Sequence, residues 1–590
     1  MLEATQDASI DVSAVCGGVG TCGKCKVIVR QGSELLGALT EFERQCFSED
    51  EVQAGYRLAC QAEVAAEGLI TVEIPLESRG SRYRLQVEGL ETPVELNPSV
   101  TGVELEVTPP SLRDVRSLDD ALIEAASRRG MKLERIEHDC LLSLGKTLKG
   151  LNWRVQAVVY EGTKLTALTK PGSPILGVAF DIGTTKLAGY LVDLKSGRLL
   201  AKSSSVNPQV LYGEDVMSRL TYILKDKDGL SNLVSSVRKA LDSMVGEACQ
   251  AAGAMREDVA EIVLVGNTLM HHLAVGVEPS SLGRAPYAPV VNSAYAVEAS
   301  KVGIAGGPGC TAYFLPNVAG FVGADCVADT IATGLDAGAE NRLLVDIGTN
   351  TEVVLAADHE LWGASCASGP AFEGAHIKHG MRAMSGAIEH VAIDESLKVL
   401  YTTVDGSAPA GICGSGVIDT VAEMVHHGIL DVSGRMSSEV ATDLVVKGED
   451  CLEFVLADAS KAAGGKPVTF TQRDVREIQK AKGAIASGIK ILLNKAGVTK
   501  SSLERVYVAG AFGTYIDIGS AISIGMLPDV PLHLIKQVGN SAGTGARMCL
   551  LSRDAKRRAN ETAKRMRYVE LATCEEFQDT YLRSLRLNGF

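Results

Sequence analysis

Three cysteines fall close together at Cys16, Cys22 and Cys25, and a fourth, Cys60, follows inside Arg57-Leu58-Ala59-Cys60-Gln61, a C-x5-C-x2-C-x34-C spacing. No other feature restricts the fold as much, because thiolates that converge on one centre dictate the backbone path around them. A 2Fe-2S cluster takes four thiolates, usually three from one tight loop and one from a distant segment. Glycines let such a loop close on the cluster and aim its amide N–H groups at the sulfurs. Gly17, Gly18, Gly20 and Gly23 supply them. Zinc, which prefers two paired knuckles, and a set of disulfides are the alternatives. Cys46 lies fourteen residues before Cys60 and lacks the Arg-Leu-Ala-Cys context, so it reads as a bystander.

At 590 residues the chain exceeds what one core supports, and about three to four domains are expected. The formal charge of -14 argues against nucleic acid or an anionic membrane as partner. No run of about eighteen apolar residues occurs and no basic-then-apolar leader precedes Cys16, which predicts a cytoplasmic protein. The cysteines outside the four-residue set are scattered singly, as small buried hydrophobes of a reducing compartment are.

The first segment, 1–78, carries an amphipathic stretch at Leu2–Val12, the cysteine loop, a strand at Lys26–Val29 and a closing strand at Leu69–Ile74. Ser78-Arg79-Gly80-Ser81-Arg82 reads as a domain exit, and 79–98 as a linker that lets the first domain swing. Residues 99–172 predict a small α/β middle domain without a chemical motif. Its strands are expected at Gly102–Thr108, Trp153–Tyr160 and Lys164–Thr169, and its helix at Leu118–Arg129, with Ser117 as N-cap and Asp119 and Asp120 in the first turn.

Residues 173–590 contain an internal repeat. Val178-Ala179-Phe180-Asp181-Ile182-Gly183-Thr184-Thr185-Lys186 returns as Leu344-Val345-Asp346-Ile347-Gly348-Thr349-Asn350-Thr351-Glu352, with 165 residues from Asp181 to Asp346. Later, each half has an apolar strand ending in glycine, Ile262–Asn267 and Val506–Gly513. A duplicated domain with a cleft between its halves explains the pattern. In the repeated turn, Gly183 and Gly348 allow close approach, while N–H groups and hydroxyls of Thr184, Thr185, Thr349 and Asn350 can hold phosphate. Lys186 stands beside them, and Asp181 and Asp346 can orient a water bound to Mg2+. One such turn is equally well a plain hairpin; two in matched contexts can clamp a polyphosphate from opposite sides. A helix at Gln472–Asn494, with Thr471 and Asp474 as its capping pair, reads as structural, with Lys482 within reach of a nucleotide. The pairs His271-His272 and His426-His427 are read as packing or cap residues, since neighbours on a helix diverge by about 100°.

These segments resemble known families. The cysteine pattern has five residues in its first gap where plant-type ferredoxins have four, which is similar to the adrenodoxin-like branch of that family and implies a β-grasp ferredoxin-like domain. Such domains open with a hairpin ahead of the first cysteine, so the short lead before Cys16 favours an upstream start missing from this sequence. The two Asp-Ile-Gly-Thr turns resemble the phosphate loops of the superfamily of actin, the heat-shock chaperone ATPases and the sugar kinases. Gly510, Ala511, Phe512 and Gly513 look like its adenosine loop, and Gly414, Ser415 and Gly416 like its glycine-rich junction, or else a helix entry packed on a sheet.

The whole chain resembles the reductive activators of corrinoid proteins, found with methyltransferase systems in anaerobes. Asn207-Pro208-Gln209, Val265–His272, Leu315–Asp325 and Ser368–Ala375 carry this likeness along with the domain order. The resemblance implies Cys16, Cys22, Cys25 and Cys60 as cluster ligands, ATP with Mg2+ at the repeated turns, and ATP-driven one-electron reduction of Co(II) corrinoid to Co(I). Its implied partners are a corrinoid protein and an electron donor to the cluster; a homodimer is left open. Ser365–His376 is either a surface for the corrinoid partner or a turn lining the nucleotide cleft. A small-molecule kinase with an attached redox domain and a nucleotide-gated redox sensor are the rival functions.

Overall fold

The computed structural model describes residues 1–7, 12, 25–75, 78, 89–90, 92–440 and 443–590. Cys16, Cys22 and much of the expected linker lie outside the described residues.

The first unit is built on a three-stranded antiparallel sheet with Lys26–Gln31 in the centre, flanked by Tyr56–Leu58 and Thr71–Glu73. Val27 and Leu58 are fully buried and pack with Leu2, Val12 and Phe47 into a small core. Of the amphipathic stretch at Leu2–Val12, Leu2–Asp7 is helical, and Leu2 N–H donates to the Ala59 carbonyl at 2.9 Å, tying the start of the chain to the Cys60 segment.

The middle unit holds a four-stranded sheet ordered Val100–Glu106, Arg154–Tyr160, Lys164–Thr169, Arg135–Ile136, covered by helices Leu118–Arg128 and His138–Gly150. Ser117 caps the first helix through the Asp120 N–H, as the sequence predicts. The second helix was not expected. Its buried positions Cys140, Leu144 and Leu148 follow a helical period that the exposed Leu141 and Leu142 blur.

Within the expected linker 79–98, Leu90, Thr92 and Asn97 are docked on the large unit. Leu90 N–H donates to Val538 O, the Thr92 hydroxyl to Ala332 O, and Asn97 N–H to Leu551 O, all at 2.8–2.9 Å. Leu90 and Val94 pack into the core of the large unit. Backbone polarity made this stretch look like linker, but its apolar side chains at 90 and 94 find a surface to cover.

The large unit confirms the duplication strand by strand. In the first half the order is Leu199–Val206, Lys186–Asp193, Leu176–Ile182, Val259–Gly266, Thr311–Phe314, with Tyr295–Glu298 at the edge; three strands run antiparallel and the next two join in parallel. The second half repeats this as Glu360–Cys366, Thr351–Ala357, Arg342–Ile347, Arg505–Ala509, Ile535–Gly539. A long helix packs behind the hairpin strands of each half, Gly229–Ala252 in the first and Gln472–Ala496 in the second. The latter has the Thr471/Asp474 capping box and buries Val475, Ile478, Ile485, Ile489 and Leu492. After the last parallel strand the chain crosses back. Helices Ser541–Leu551 and Arg553–Arg565 pack on the first half, and Met566–Tyr568 then returns to the second sheet. This crossing stitches the halves together on either side of the cleft.

Candidate functional site

The two Gly-Thr turns face each other at the floor of that cleft. In the first, a Cβ on Gly183 would come within 2.6 Å of the Lys186 carbonyl oxygen, so only glycine lets the hairpin close this tightly. Three amide and guanidinium side chains brace the turn. Asn207 Nδ2 donates to Gly183 O at 2.8 Å, Asn267 Nδ2 to the Thr184 hydroxyl at 2.8 Å, and Arg219 donates to the carbonyls of Thr184 and Gly213. Arg219 is fully buried, and burial pulls its guanidinium down to about 9, opposed by Asp215 and Glu373.

The second turn is surrounded by oxygen. Thr349 donates its hydroxyl to Glu373 Oε1 at 2.5 Å, and Thr185 of the first turn reaches the same oxygen at 3.3 Å. The two hydroxyls are 3.1 Å apart, so hairpins separated by 164 residues meet on one carboxylate. Glu373 sits in the Pro370–Glu373 turn, which Ser368 fastens to the hairpin through the Thr351 hydroxyl at 2.9 Å. Gly510, at φ 84, lies so close that a Cβ would stand 2.5 Å from Asp346 Oδ1, which explains glycine there.

Around these turns stand Asp181, Asp325, Asp329, Asp346, Glu352 and Glu373, which together line one cleft. Burial pushes Asp181 up to about 7 and Asp325 up to about 8, with the neighbouring aspartates adding to both. Asp329, Asp346 and Glu352 are raised for the same main reason. Among the described residues no three of these groups converge to hold a metal ion by themselves; an Mg2+ here would take one or two carboxylates together with phosphate oxygens and water, and would favour their ionised forms.

Of the expected nucleotide residues, Asp181, Gly183, Thr184, Thr185, Lys186, Asp346, Gly348, Thr349, Asn350 and Gly510 line this one cleft. Ala511 and Phe512 follow in the helix Gly510–Tyr515, whereas Gly513 is buried against Val508. Gly414, Ser415 and Gly416 do not line it. They open the helix Gly414–His426, where the Ser415 hydroxyl donates to Glu389 O at 2.7 Å and Gly416 packs on Ile388, the helix entry on a sheet that was the other reading. Lys482 donates instead to the Arg586 carbonyl, drawn there by the C-terminal segment packed on its helix. The Ser365–His376 segment is divided: Glu373 lines the cleft while His376 is exposed. His271 is buried against Phe314, and His272 bridges Thr268 O and the Val290 N–H within its own lobe.

Sequence reading did not single out Asp329, Glu352, Asn540 or Ser541, nor assign roles to Arg219, Asn267, Asp325 and Glu373. One signal was present. Val265-Gly266-Asn267-Thr268 and Val538-Gly539-Asn540-Ser541 are the same strand–glycine–asparagine–hydroxyl entry to a helix. Each asparagine caps its helix and donates into the first turn, Asn267 to Thr184 and Asn540 Nδ2 to Asp181 Oδ2 at 2.8 Å.

In the first unit, the pairing of Lys26 with Leu58 brings Cys25 beside Cys60. Ala59 N–H donates to Cys25 O at 2.8 Å, and the two sulfurs are 3.3 Å apart. Two sulfurs bound to one tetrahedral ion at about 2.3 Å stand about 3.8 Å apart, so Cys25 and Cys60 are neighbours on the scale of a shared metal centre and slightly closer than bound ligands would be. Cys46 packs at the edge of the same core, its thiol raised by burial.

Comparison with known proteins gives three family matches: 2Fe-2S iron-sulfur cluster binding domain over residues 1–65, RACo middle region over 176–338, and C-terminal domain of RACo, the ASKHA domain, over 340–589. The corrinoid activation enzyme RamQ of Eubacterium limosum is 30% identical over 587 residues, covering 97% of this chain and 93% of the relative. The Co(II) methylated amine-specific corrinoid protein reductase of Methanosarcina barkeri is 26% identical over 446 residues, 69% of this chain and 76% of the relative. A solved structure of a reductive activator for corrinoid, iron-sulfur protein matches at TM-score 0.76 and 36% identity, covering 100% of this chain and 95% of that one.

Proposed function

This chain belongs to the RACo family of corrinoid activators, and from that premise we propose that it reduces the Co(II) corrinoid of a partner protein to Co(I), one electron at a time, driven by ATP within a methyltransferase system. The observation that carries this reading is the meeting of two phosphate-type turns on Glu373, in a chain that also pairs Cys25 with Cys60. Cys16, Cys22, Cys25 and Cys60 would hold the cluster, which would supply the one-electron chemistry between a donor protein and the corrinoid. Plant-type clusters lie near about -400 mV, and each ~59 mV uphill costs a factor of ten in a one-electron equilibrium. The nucleotide supplies the free energy that this step lacks.

Gly183, Thr184, Thr185, Gly348, Thr349 and Asn350 bind its phosphates with Lys186 as counter-charge, Asp181 and Asp346 would orient Mg2+ and the attacking water, and the Gly510 end of the 510–513 loop borders the adenosine side. The hydroxyls of Thr185 and Thr349 are the donors such phosphates require, and Glu373 already engages both. Phosphate binding therefore displaces Glu373 and shifts the segment from Ser368 to the exposed His376. Differential affinity of the two positions for the partner is how ATP can pull the electron transfer forward. The segment 79–98 is read as the tether of the cluster unit, with Leu90, Thr92 and Asn97 anchoring its end on the large unit. No described helix is long and apolar enough to cross a membrane, and we place the reaction in the cytoplasm.

The test is to mix the reduced, cluster-loaded protein with a Co(II) corrinoid protein and follow the Co(II) electron paramagnetic resonance signal with and without Mg·ATP. Loss of that signal only with ATP is the expected result. ATP turnover stimulated by a small alcohol or carboxylate but not by the corrinoid protein would make the chain a kinase instead.

A further inference from the structure

Cys60 sits just past a strand of three residues, Tyr56–Leu58, at the edge of its sheet. So short an edge strand has only one neighbour to hold it, yet a cluster ligand must keep its sulfur within a fraction of an ångström. One buried carboxylate closes the open side. Glu43, on the helix Glu41–Cys46, is fully buried and uses both oxygens. Oε1 accepts the Leu58 N–H at 3.0 Å and Arg57 Nε at 2.8 Å; Oε2 accepts Arg57 Nη2 at 3.1 Å and the Thr40 N–H at 2.9 Å. Arg57 Nη1 donates onward to Gly37 O at 3.1 Å. The carboxylate thus takes the place of a further strand, pairing the outward N–H of Leu58 while its charge is matched by Arg57. On the other side of Cys60, Gln61 Nε2 lies 3.8 Å from the Cys60 sulfur, within N–H···S range.

We infer that Glu43 and Arg57 form a clasp that positions Cys60 for the cluster, and that the Gln61 amide tunes its sulfur. This rests on the reading of Cys60 as the fourth ligand. The clasp acts through Cys60 and touches no reacting atom, so Glu43 and Arg57 are positioning residues. Partners of metal ligands fix ligand orientation and commonly change metal affinity 10- to 100-fold when removed. An N–H donated to a ligand sulfur favours the more electron-rich reduced cluster, so removing it lowers the midpoint potential. For a protein whose electron must travel uphill, a sulfur held still and lightly tuned serves the task better than a freely moving one.

The experiment uses the full chain with its cluster reconstituted. Iron release to an excess of a colorimetric chelator is timed for the unsubstituted protein, Glu43→Ala, Glu43→Gln, Gln61→Ala and a control, Glu73→Ala, which breaks the exposed Arg30–Glu73 pair on the opposite edge of the same sheet. Visible circular dichroism and midpoint potential are recorded for each. Glu43→Ala is expected to release iron about ten times faster or more, with an altered circular dichroism spectrum. Glu43→Gln, which keeps the shape and one acceptor oxygen, is expected to fall between, and Glu73→Ala to match the unsubstituted protein. Gln61→Ala is expected to lower the potential at normal iron content. If Glu43→Ala fails to fold, Glu43→Gln against Glu73→Ala decides. Equal release rates and spectra in the Glu43 and Glu73 variants overturn the clasp, and an unchanged potential in Gln61→Ala overturns the tuning. A Cys60→Ser variant with an intact cluster spectrum would instead overturn the ligand assignment itself.

Discussion

The two phosphate-type turns share a sequence, a strand order and a fold, yet their surroundings are opposite. The first, 183–185, is braced by amides and a guanidinium: Asn207, Asn267 and Arg219 occupy its backbone oxygens and its Thr184 hydroxyl. The second, 348–350, leans on carboxylates and hydroxyls: Glu373 and Ser368 bind it, and Asp329 and Glu352 stand beside its aspartate. Duplication supplied the geometry of a clamp, and divergence of the supporting side chains gave the two jaws different work. The first jaw is held rigid from behind. The second is held by a carboxylate whose donors a phosphate can take, so it is the jaw that can respond.

The strongest challenge to this division is at the aspartates. Asp346→Ala is expected to lower ATP turnover at least about 100-fold while leaving the cluster absorption unchanged, because the two sites lie in separate units; full turnover in that variant would remove Asp346 from the site. Arg219→Ala strips the first jaw of its brace, leaving a void and two carbonyls without a donor. A loss of about 2–4 kcal/mol in urea unfolding is expected, against less than about 1 kcal/mol for Glu373→Ala, whose carboxylate is half-exposed. Similar losses at both positions would erase the contrast between a rigid and a responsive jaw. Glu373→Gln should keep nucleotide binding within a few-fold, yet reduce ATP stimulation of corrinoid reduction by about tenfold, the effect of ~1.4 kcal/mol of lost coupling. Unaltered stimulation would show that the signal leaves the cleft by another route.

The smallest expected effect is on pH. Asp181 and Asp325, held near 7 and 8 when buried, bind protons in the folded protein that they release when unfolded. Stability without nucleotide should therefore fall as pH rises from about 4 to about 8. Mg2+ with ATP replaces those protons, so its addition near pH 6.5 should release protons and flatten the fall. A melting profile with the same pH slope in the Asp181→Asn, Asp325→Asn double variant would separate these two groups from the effect.

Much of this was legible in the chain because the informative residues are close in sequence. The repeated Asp-Ile-Gly-Thr turns and the capping pair Thr471/Asp474 each act within a few residues, where backbone stereochemistry translates directly into local structure. Gly510 belongs to the same class: its approach to Asp346 needs a residue without a Cβ, and glycine announces it. The Gly414–Gly416 segment shows the limit of such reasoning, since a helix packed tightly on a strand needs the same glycine that a ligand would.

Local sequence is enough to specify two matching hairpins, a 2Fe-2S domain and a chain long enough to hold them in separate units. Only the tertiary structure decided what stands behind each hairpin. Arg219 braces a turn 35 residues away, Asn540 reaches Asp181 across 359 residues, and Glu373 takes hydroxyls from both halves at once. No local pattern encodes such pairings, because they arise from the crossing of the last helices back onto the first half and from burial that makes every polar group find a partner. The same holds at Cys60, where a carboxylate from a preceding helix completes a sheet edge that the Arg-Leu-Ala-Cys motif leaves open.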